Sequence, residues 1–238
     1  ISATDDYKST PLHWAVCNDS SAGVKFLLDK GGDPNLRNNT GYGALHLAAH
    51  KNSLNALQAL IDHKVDLNAR GTANLTAMHV AASLDHEKVF TMLLSNGAKP
   101  CMACSQGYRP LHTAALAGSK KYFIESYLYS YGAKLNVKQA DDSTPMHMVC
   151  SQGNLEIVQL MFDYSPDNAR ASLSMLDKQD HSPLHKAAMF NHPALIRFLI
   201  DKGADAELLD ADQRTPLLLA ASRECWDAVW ALIELNAN

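Results

Sequence analysis

The chain has 238 residues, 47% hydrophobic and 19% charged, with a formal net charge of −4. That apolar share is enough for a core, so disorder is not expected, and the acidic balance without any Lys/Arg cluster disfavours nucleic acid as a partner. No apolar run approaches the ~20 residues that cross a bilayer and no charged-then-apolar leader opens the chain, so direct membrane insertion of this segment is not expected.

The first predicted helix opens at Thr10-Pro11-Leu12-His13, and the phrase then returns along the chain. It reads Gly43-Ala44-Leu45-His46, Thr76-Ala77-Met78-His79, Arg109-Pro110-Leu111-His112, Thr144-Pro145-Met146-His147, Ser182-Pro183-Leu184-His185 and Thr215-Pro216-Leu217-Leu218. Successive fourth residues lie 33, 33, 33, 35, 38 and 33 apart. Thr or Ser at the first position is a helix N-cap whose hydroxyl accepts a free backbone N–H of the first turn. Pro at the next position loses no bond and has its φ already set. The small apolar pair that follows, such as Ala48-Ala49, lets neighbouring helices approach closely.

This phrase at this period resembles the ankyrin-repeat family over the whole length of the chain. The resemblance implies an all-α ankyrin-repeat solenoid of about seven helix-turn-helix repeats with β-turn fingers. It is read as one array over residues 1–238, with repeats beginning near 10, 43, 76, 109, 144, 182 and 215. Asp5 and Asp6 fall where the family has its loop Asp, so the chain is expected to start mid-array.

Repeat one runs through Val24, Phe26, Leu27 and Leu28 to a Gly31-Gly32 stop. Repeat two ends in Lys64-Val65 in place of Gly-Ala, which predicts a less stable turn. Two residues before each cap the finger needs positive φ, and the positions hold Lys8, Gly41, Asn74, Gly107, Asp142, Asp180 and Gln213. Gly, Asn or Asp at five of them suits that backbone. Repeat four carries two extra residues around 122–131. Repeat five carries five extra near 164–171, with the helix expected to stop before Pro166 and a longer loop to follow.

The histidine series His13, His46, His79, His112, His147 and His185 resembles the family's finger-bracing histidine, which hydrogen-bonds loop backbone, rather than a metal array. His46 and His50, four apart on one helix, have no third ligand in view. Cys101-Met102-Ala103-Cys104 lacks both the second pair of a structural zinc site and the strand-to-helix setting of a redox motif. Cys101 and Cys104 are therefore candidate modifiable thiols or plain loop residues. The five cysteines are odd in number and irregularly placed, which fits reduced thiols in the cytosol. Gly41-x-Gly43 lacks the third Gly of a dinucleotide fingerprint. Asp205, Glu207, Asp210 and Asp212 lack the Gly and distal Glu of a calcium loop and read as a solvated acidic finger. No acid/base pair, nucleophile or phosphate loop stands outside scaffold positions, so neither an enzyme nor a cofactor is expected.

Binding candidates come from register. The family directs two positions after the small pair into its concave groove, which here include Leu84, Leu116, Met189 and Phe190. The alternative is that they tuck between helices. Fingertip residues Tyr42, Leu75 and Tyr108 extend that surface. On the outer face of the second helix one position reads Lys25, Gln58, Thr91, Ile124, Gln159, Arg197 and Trp230, polar in five, so Trp230 is a candidate contact for a further protein segment.

Between the scaffold positions, Asp5-Asp6-Tyr7, Trp14-Ala15-Val16, Val24-Lys25-Phe26-Leu27-Leu28, Pro34-Asn35-Leu36-Arg37-Asn38, Gly97-Ala98-Lys99-Pro100-Cys101, Gly118-Ser119-Lys120 and the Trp226 repeat resemble the amino-terminal ankyrin array of the TRPA family of transient receptor potential channels. The insertions in repeats four and five are similar as well. That resemblance implies a homotetrameric, calcium-permeable plasma-membrane cation channel gated by irritant or thermal stimuli. This chain would be part of its cytosolic array, contacting a protein partner or other segments of the same channel. The competing reading is a soluble ankyrin adaptor that recruits a protein partner.

Overall fold

Each phrase nucleates a helix, and the reason is visible at its cap. Thr10, Thr76, Thr144 and Ser182 form reciprocal capping boxes in which the histidine three residues on takes the part usually played by Glu or Gln. Gly43 stands where these repeats have Thr or Ser because a Cβ there would lie 2.9 Å from the Pro34 carbonyl oxygen.

The computed structural model describes residues 2–117 and 136–237, which fall in two compact units, Ile1–Ala117 and Gly118–Asn238. Among the described residues every regular element is helical. The first unit holds α1 (Pro11–Cys17), α2 (Ser21–Asp29), α3 (Ala44–Lys51), α4 (Leu54–Asp62), α5 (Ala77–Ser83), α6 (Glu87–Ser95) and α7 (Pro110–Ala117). The second holds α8 (Pro145–Gln152), α9 (Leu155–Tyr164), α10 (Pro166–Leu173), α11 (Pro183–Met189), α12 (Pro193–Asp201), α13 (Pro216–Ser222) and α14 (Trp226–Glu234). In the first unit the inner helices pack in the series α1, α3, α5, α7. In the second they pack as α8, α11, α13, with α12 against α14 outside them. Ala48, Ala49, Ala81, Ala82, Ala187 and Ala188 are fully buried at these contacts, where a larger side chain would hold the helices apart. Cys150 takes the second place of the pair in α8, and burial there pushes its thiol far above the ordinary value.

The backbone repeats as strictly as the helices. All seven residues two before the caps, including Lys8 and Gln213, adopt positive φ. Gly41 has a second reason to be Gly: a Cβ would fall 1.5 Å from Thr72 Oγ1 of the next finger. A second set of left-handed residues, Asp19, Asn52, Asp85, Gly153, Asn191 and Glu224, turns the chain between paired helices. A third set, Gly31, Lys64, Gly97, Gly203 and Asn236, ends the outer helices. Lys64 thus makes the turn that its family's Gly would make, at the steric cost of a Cβ in that region.

Repeat five departs from the expectation of a loop. Ser165 has φ −151 in place of a left-handed stop, and the excess forms α10, with Pro166 in its first turn. Pro166 both ends α9, having no N–H to give, and starts α10, where none is needed. Asp167 and Arg170 sit at the ends that suit the helix dipole, and Ala169, Ser172 and Leu173 are buried. The sequence separation between a ladder histidine and the finger carbonyl it bonds is 29 for His13 and 34 for His147, at 3.0 Å in both. The insertion therefore leaves the finger bond in place. The expected excess in repeat four, at 122–131, lies outside the described residues.

Candidate functional site

Every finger is a closed turn. The N–H of the positive-φ residue donates to the carbonyl three residues earlier at 2.9 to 3.2 Å, from Lys8 to Asp5, Gly41 to Asn38, Asn74 to Gly71, Gly107 to Cys104, Asp142 to Gln139, Asp180 to Asp177 and Gln213 to Asp210. In four fingers the first side chain locks the turn: Oδ1 of Asp5, Asn38, Asp177 and Asp210 each accepts two backbone N–H groups of its own loop.

The histidines tie these fingers to the helices. Nδ1 of His13, His79, His147 and His185 accepts the backbone N–H of its own cap residue at 3.0 to 3.1 Å, which leaves Nε2 as the protonated nitrogen. Nε2 then donates to the next finger: His13 to the Tyr42 carbonyl, His46 to Leu75, His79 to Tyr108, His147 to His181 and His185 to Arg214, at 2.9 to 3.2 Å. Burial holds His46, His79, His147 and His185 below the ordinary histidine value, His147 down to about 4. They are neutral braces. The sequence pointed to the Nε2 half of this arrangement. The Nδ1 half was legible as a Thr-x-x-His or Ser-x-x-His variant of the capping box. Among the described residues no three His, Cys, Asp or Glu side chains converge as metal ligands.

The binding candidates separate into two kinds. Leu84, Leu116 and Phe190 are exposed and Met189 is half-buried. Tyr42, Leu75 and Tyr108 are half-buried, and it is their carbonyls that receive the ladder histidines. The Tyr42 ring stacks on His46 with centroids 6.0 Å apart and tilts against His50 at 5.6 Å. Trp230 is 63% exposed on the outer face. At the same position in other repeats Lys25 pairs with Asp62 of the following repeat, and Arg197 with Glu234. Cys101 is exposed, but Cys104 is only 8% exposed, so the expectation of two accessible thiols narrows to one. Cys104 sits where four other fingers carry Asp or Asn at the base of the turn, a place the backbone encloses.

The acidic finger also needs correction. Asp205, Glu207 and Asp212 are exposed, but Asp210 is buried, its Oδ2 taken by Arg214 at 2.9 Å. Beside it Asp177, equally buried, pairs through Oδ2 with Lys186 at 2.6 Å. The His181 ring lies between the two carboxylates, 3.6 Å from each, and its Nδ1 is 3.3 Å from the Lys186 ammonium. Burial alone would raise the Asp177 carboxyl. Hydrogen bonds from His181 and Lys186, with the Lys186 charge, outweigh it and hold the group well below the usual carboxylate range. The network is balanced, two cations against two buried anions, and braces two successive fingers. Nothing in a one-dimensional reading marked it, because its two carboxylates are 33 residues apart and meet only through the repeat stack.

The family model described as ankyrin repeats, three copies, matches residues 12–104, 98–172 and 168–238. The chain belongs to the ankyrin-repeat family. The ankyrin array is similar to the transient receptor potential cation channel subfamily A member 1 of Drosophila melanogaster, 47% identical over 133 residues, or 56% of this chain and 11% of that protein. It is 30% identical to the Homo sapiens protein of the same name over 273 residues, or 98% of this chain and 24% of that protein. It is an ankyrin array resembling the N-terminal region of TRPA channels, and it spans well under two thirds of either relative's length. Among solved structures, the ankyrin repeat domain of Bcl-3, described as a unique member of the IkappaB protein family, superposes with a TM-score of 0.77 over 94% of this chain and 98% of that one. At 23% identity that likeness concerns the fold. Among the described residues no helix is long and apolar enough to cross a membrane.

Proposed function

We propose that this ankyrin array is a non-catalytic, protein-binding regulatory segment, on the cytosolic side of the plasma membrane, of a TRPA-like calcium-permeable cation channel that assembles as a homotetramer and opens in response to irritants or temperature. The observation that carries the reading is the 30% identity to the Homo sapiens channel protein over 98% of the chain. The array acts by contact. Leu84, Leu116, Met189 and Phe190 supply apolar groove surface, Trp230 supplies an outer contact, and Cys101 is the thiol open to modification. Repeats couple to their neighbours, so a change at one interface is passed along the stack. A shift of a few kcal/mol is enough to redistribute a channel between closed and open populations.

The test uses the full-length protein expressed in cells, with surface expression confirmed and stimulus-evoked current and calcium entry recorded. Phe190→Glu and Trp230→Glu are expected to move the stimulus threshold while leaving single-channel conductance unchanged. Unaltered thresholds in both would reject the regulatory contacts. A full-length sequence without membrane spans would reject the channel and favour the adaptor.

A further inference from the structure

Between the first two fingers and the helices α1 and α3 lies a cavity of about 270 Å³, its wall mostly apolar, formed in large part by Tyr7, Trp14, Cys17, Tyr42, Leu47 and Lys51. Two features make it a built receptor rather than a crease. The first is that its largest side chain is held from behind. Trp14 is 52% exposed, and its indole N–H donates to Asp5 Oδ2 at 3.0 Å. Asp5 Oδ1 meanwhile accepts the N–H groups of Tyr7 and Ser9 at 2.9 and 2.8 Å, so one carboxylate fixes both the finger and the aromatic wall. A second aromatic of the lining, Tyr42, is wedged against His46 and His50. Rings ordered before binding lose little freedom on binding.

The second feature is the charge. Lys51, the last residue of α3, is the single charged side chain among the described residues lining the cavity, and it makes no ion pair among the described residues. Asp5, which does not line the cavity, keeps its charge and accepts three hydrogen bonds from its own finger and the Trp14 indole. His50 lines the cavity as well, and burial, the Lys51 charge and His86 hold it below the ordinary histidine value, so it adds no charge near neutrality. An apolar cavity lined by fixed aromatic rings, with one ammonium that has no ion pair among the described residues, is complementary to an apolar side chain carried beside a carboxylate.

We propose that this cavity binds an acidic-hydrophobic peptide segment of a protein partner, one aromatic or large aliphatic side chain entering between Trp14 and Tyr42 while an adjacent Asp or Glu pairs with Lys51. The proposal rests on the protein-binding reading given above and specifies the partner's chemistry at one of its sites.

The experiment takes the whole 238-residue chain and a hexapeptide, Gly-Ser-Phe-Glu-Glu-Gly, with fluorescein on its amino end and an amide at its carboxyl end, followed by fluorescence anisotropy at low salt. Saturable binding is expected. It should weaken roughly thirtyfold in Trp14→Ala, as for a central aromatic anchor, and roughly fivefold in Lys51→Glu, as for an exposed ion pair turned into a repulsion. A peptide with both Glu changed to Lys should bind Lys51→Glu better than the parent chain, and Lys88→Glu, remote from the cavity, should bind normally. Circular dichroism of each variant checks that it is folded. Failure to bind, equal affinity for the acidic and basic peptides, or indifference to Trp14→Ala would overturn the proposal. So would a dimer in sedimentation velocity that Trp14→Ala disperses, which would give the cavity to a second copy of the chain. Loss of the peptide result with the Phe190 and Trp230 channel phenotypes intact would remove this site and leave the regulatory reading standing.

Discussion

The backbone N–H of Thr144 donates to Nδ1 of His147 at 3.1 Å, and this one bond decides which nitrogen of the ring can reach the next finger. Protonating His147 at Nδ1 would replace that bond with two donors facing each other. Burial accordingly holds the group down to about 4 from an ordinary value of 6.5.

The first prediction concerns acid. Between pH 6.5 and about 4 the unfolded chain carries a proton on residue 147 that the folded chain refuses, so stability is complete above the unfolded value and declines as pH falls through that window. The full loss from this residue is about 3 kcal/mol, and His46, His79 and His185, lowered in the same direction, add to it. Urea unfolding at pH 7.5 and 4.5, followed by the fluorescence of Trp226 and Trp230, should show the midpoint falling. His147→Gln should start lower at pH 7.5 and fall less.

His79→Ala removes the acceptor for the Thr76 N–H and the donor to the Tyr108 carbonyl, and opens a cavity at a site 1% exposed. A loss of about 3 kcal/mol is expected from two unsatisfied groups and the missing ring. Chemical denaturation against the parent chain checks it, and a change under 1 kcal/mol would mean that the finger is held by other bonds.

Much of this was open to the sequence because a repeat states the same local rule many times. Thr-Pro at the caps, the buried Ala pairs and the positive-φ turn at Gly41, Asn74, Gly107, Asp142 and Asp180 follow from nearest-neighbour chemistry, and the structure extends the turn to Lys8 and Gln213, which are poor residues for it. What stayed hidden depends on neighbours in space. Asp210 looked solvated because its neighbour His181 comes from the preceding finger and could be weighed only once two fingers stood side by side. Trp14 looked like family signature until Asp5 was seen to hold its indole. Pro166 was legible as a stop but not as a start, since the burial that stabilises α10 comes from the helices around it.

The paired charges in the second unit carry a sharper test. Lys186→Met leaves Asp177 buried without its cation, and a loss of about 3 kcal/mol is expected. Adding Asp177→Asn, whose oxygen can still accept the Gln179 and His181 N–H groups, should recover most of it. Thermal unfolding of the three variants reads this directly, and a double variant no better than the single would show that the anion was not the cause.

At the end of α4, Lys64 holds φ 56 in a position that Gly occupies at residues 31, 97 and 203. Lys64→Gly should raise stability by roughly 0.5 to 1 kcal/mol, the relief of left-handed strain less the added freedom of the unfolded chain. A lower melting temperature would mean that the Lys64 side chain contributes more than its backbone costs.

The eight-residue helix α10 takes up a net excess of five residues between two fixed points, and the bond from His147 to the His181 carbonyl closes over it at the length found where nothing is added. Growth or trimming of the chain at this place is therefore invisible to the finger on the far side. A lineage can try new sequence here, or an experimenter can splice in a reporter, and the register of every later repeat is preserved, provided the newcomer offers its neighbours an apolar face like that of Ala169 and Leu173.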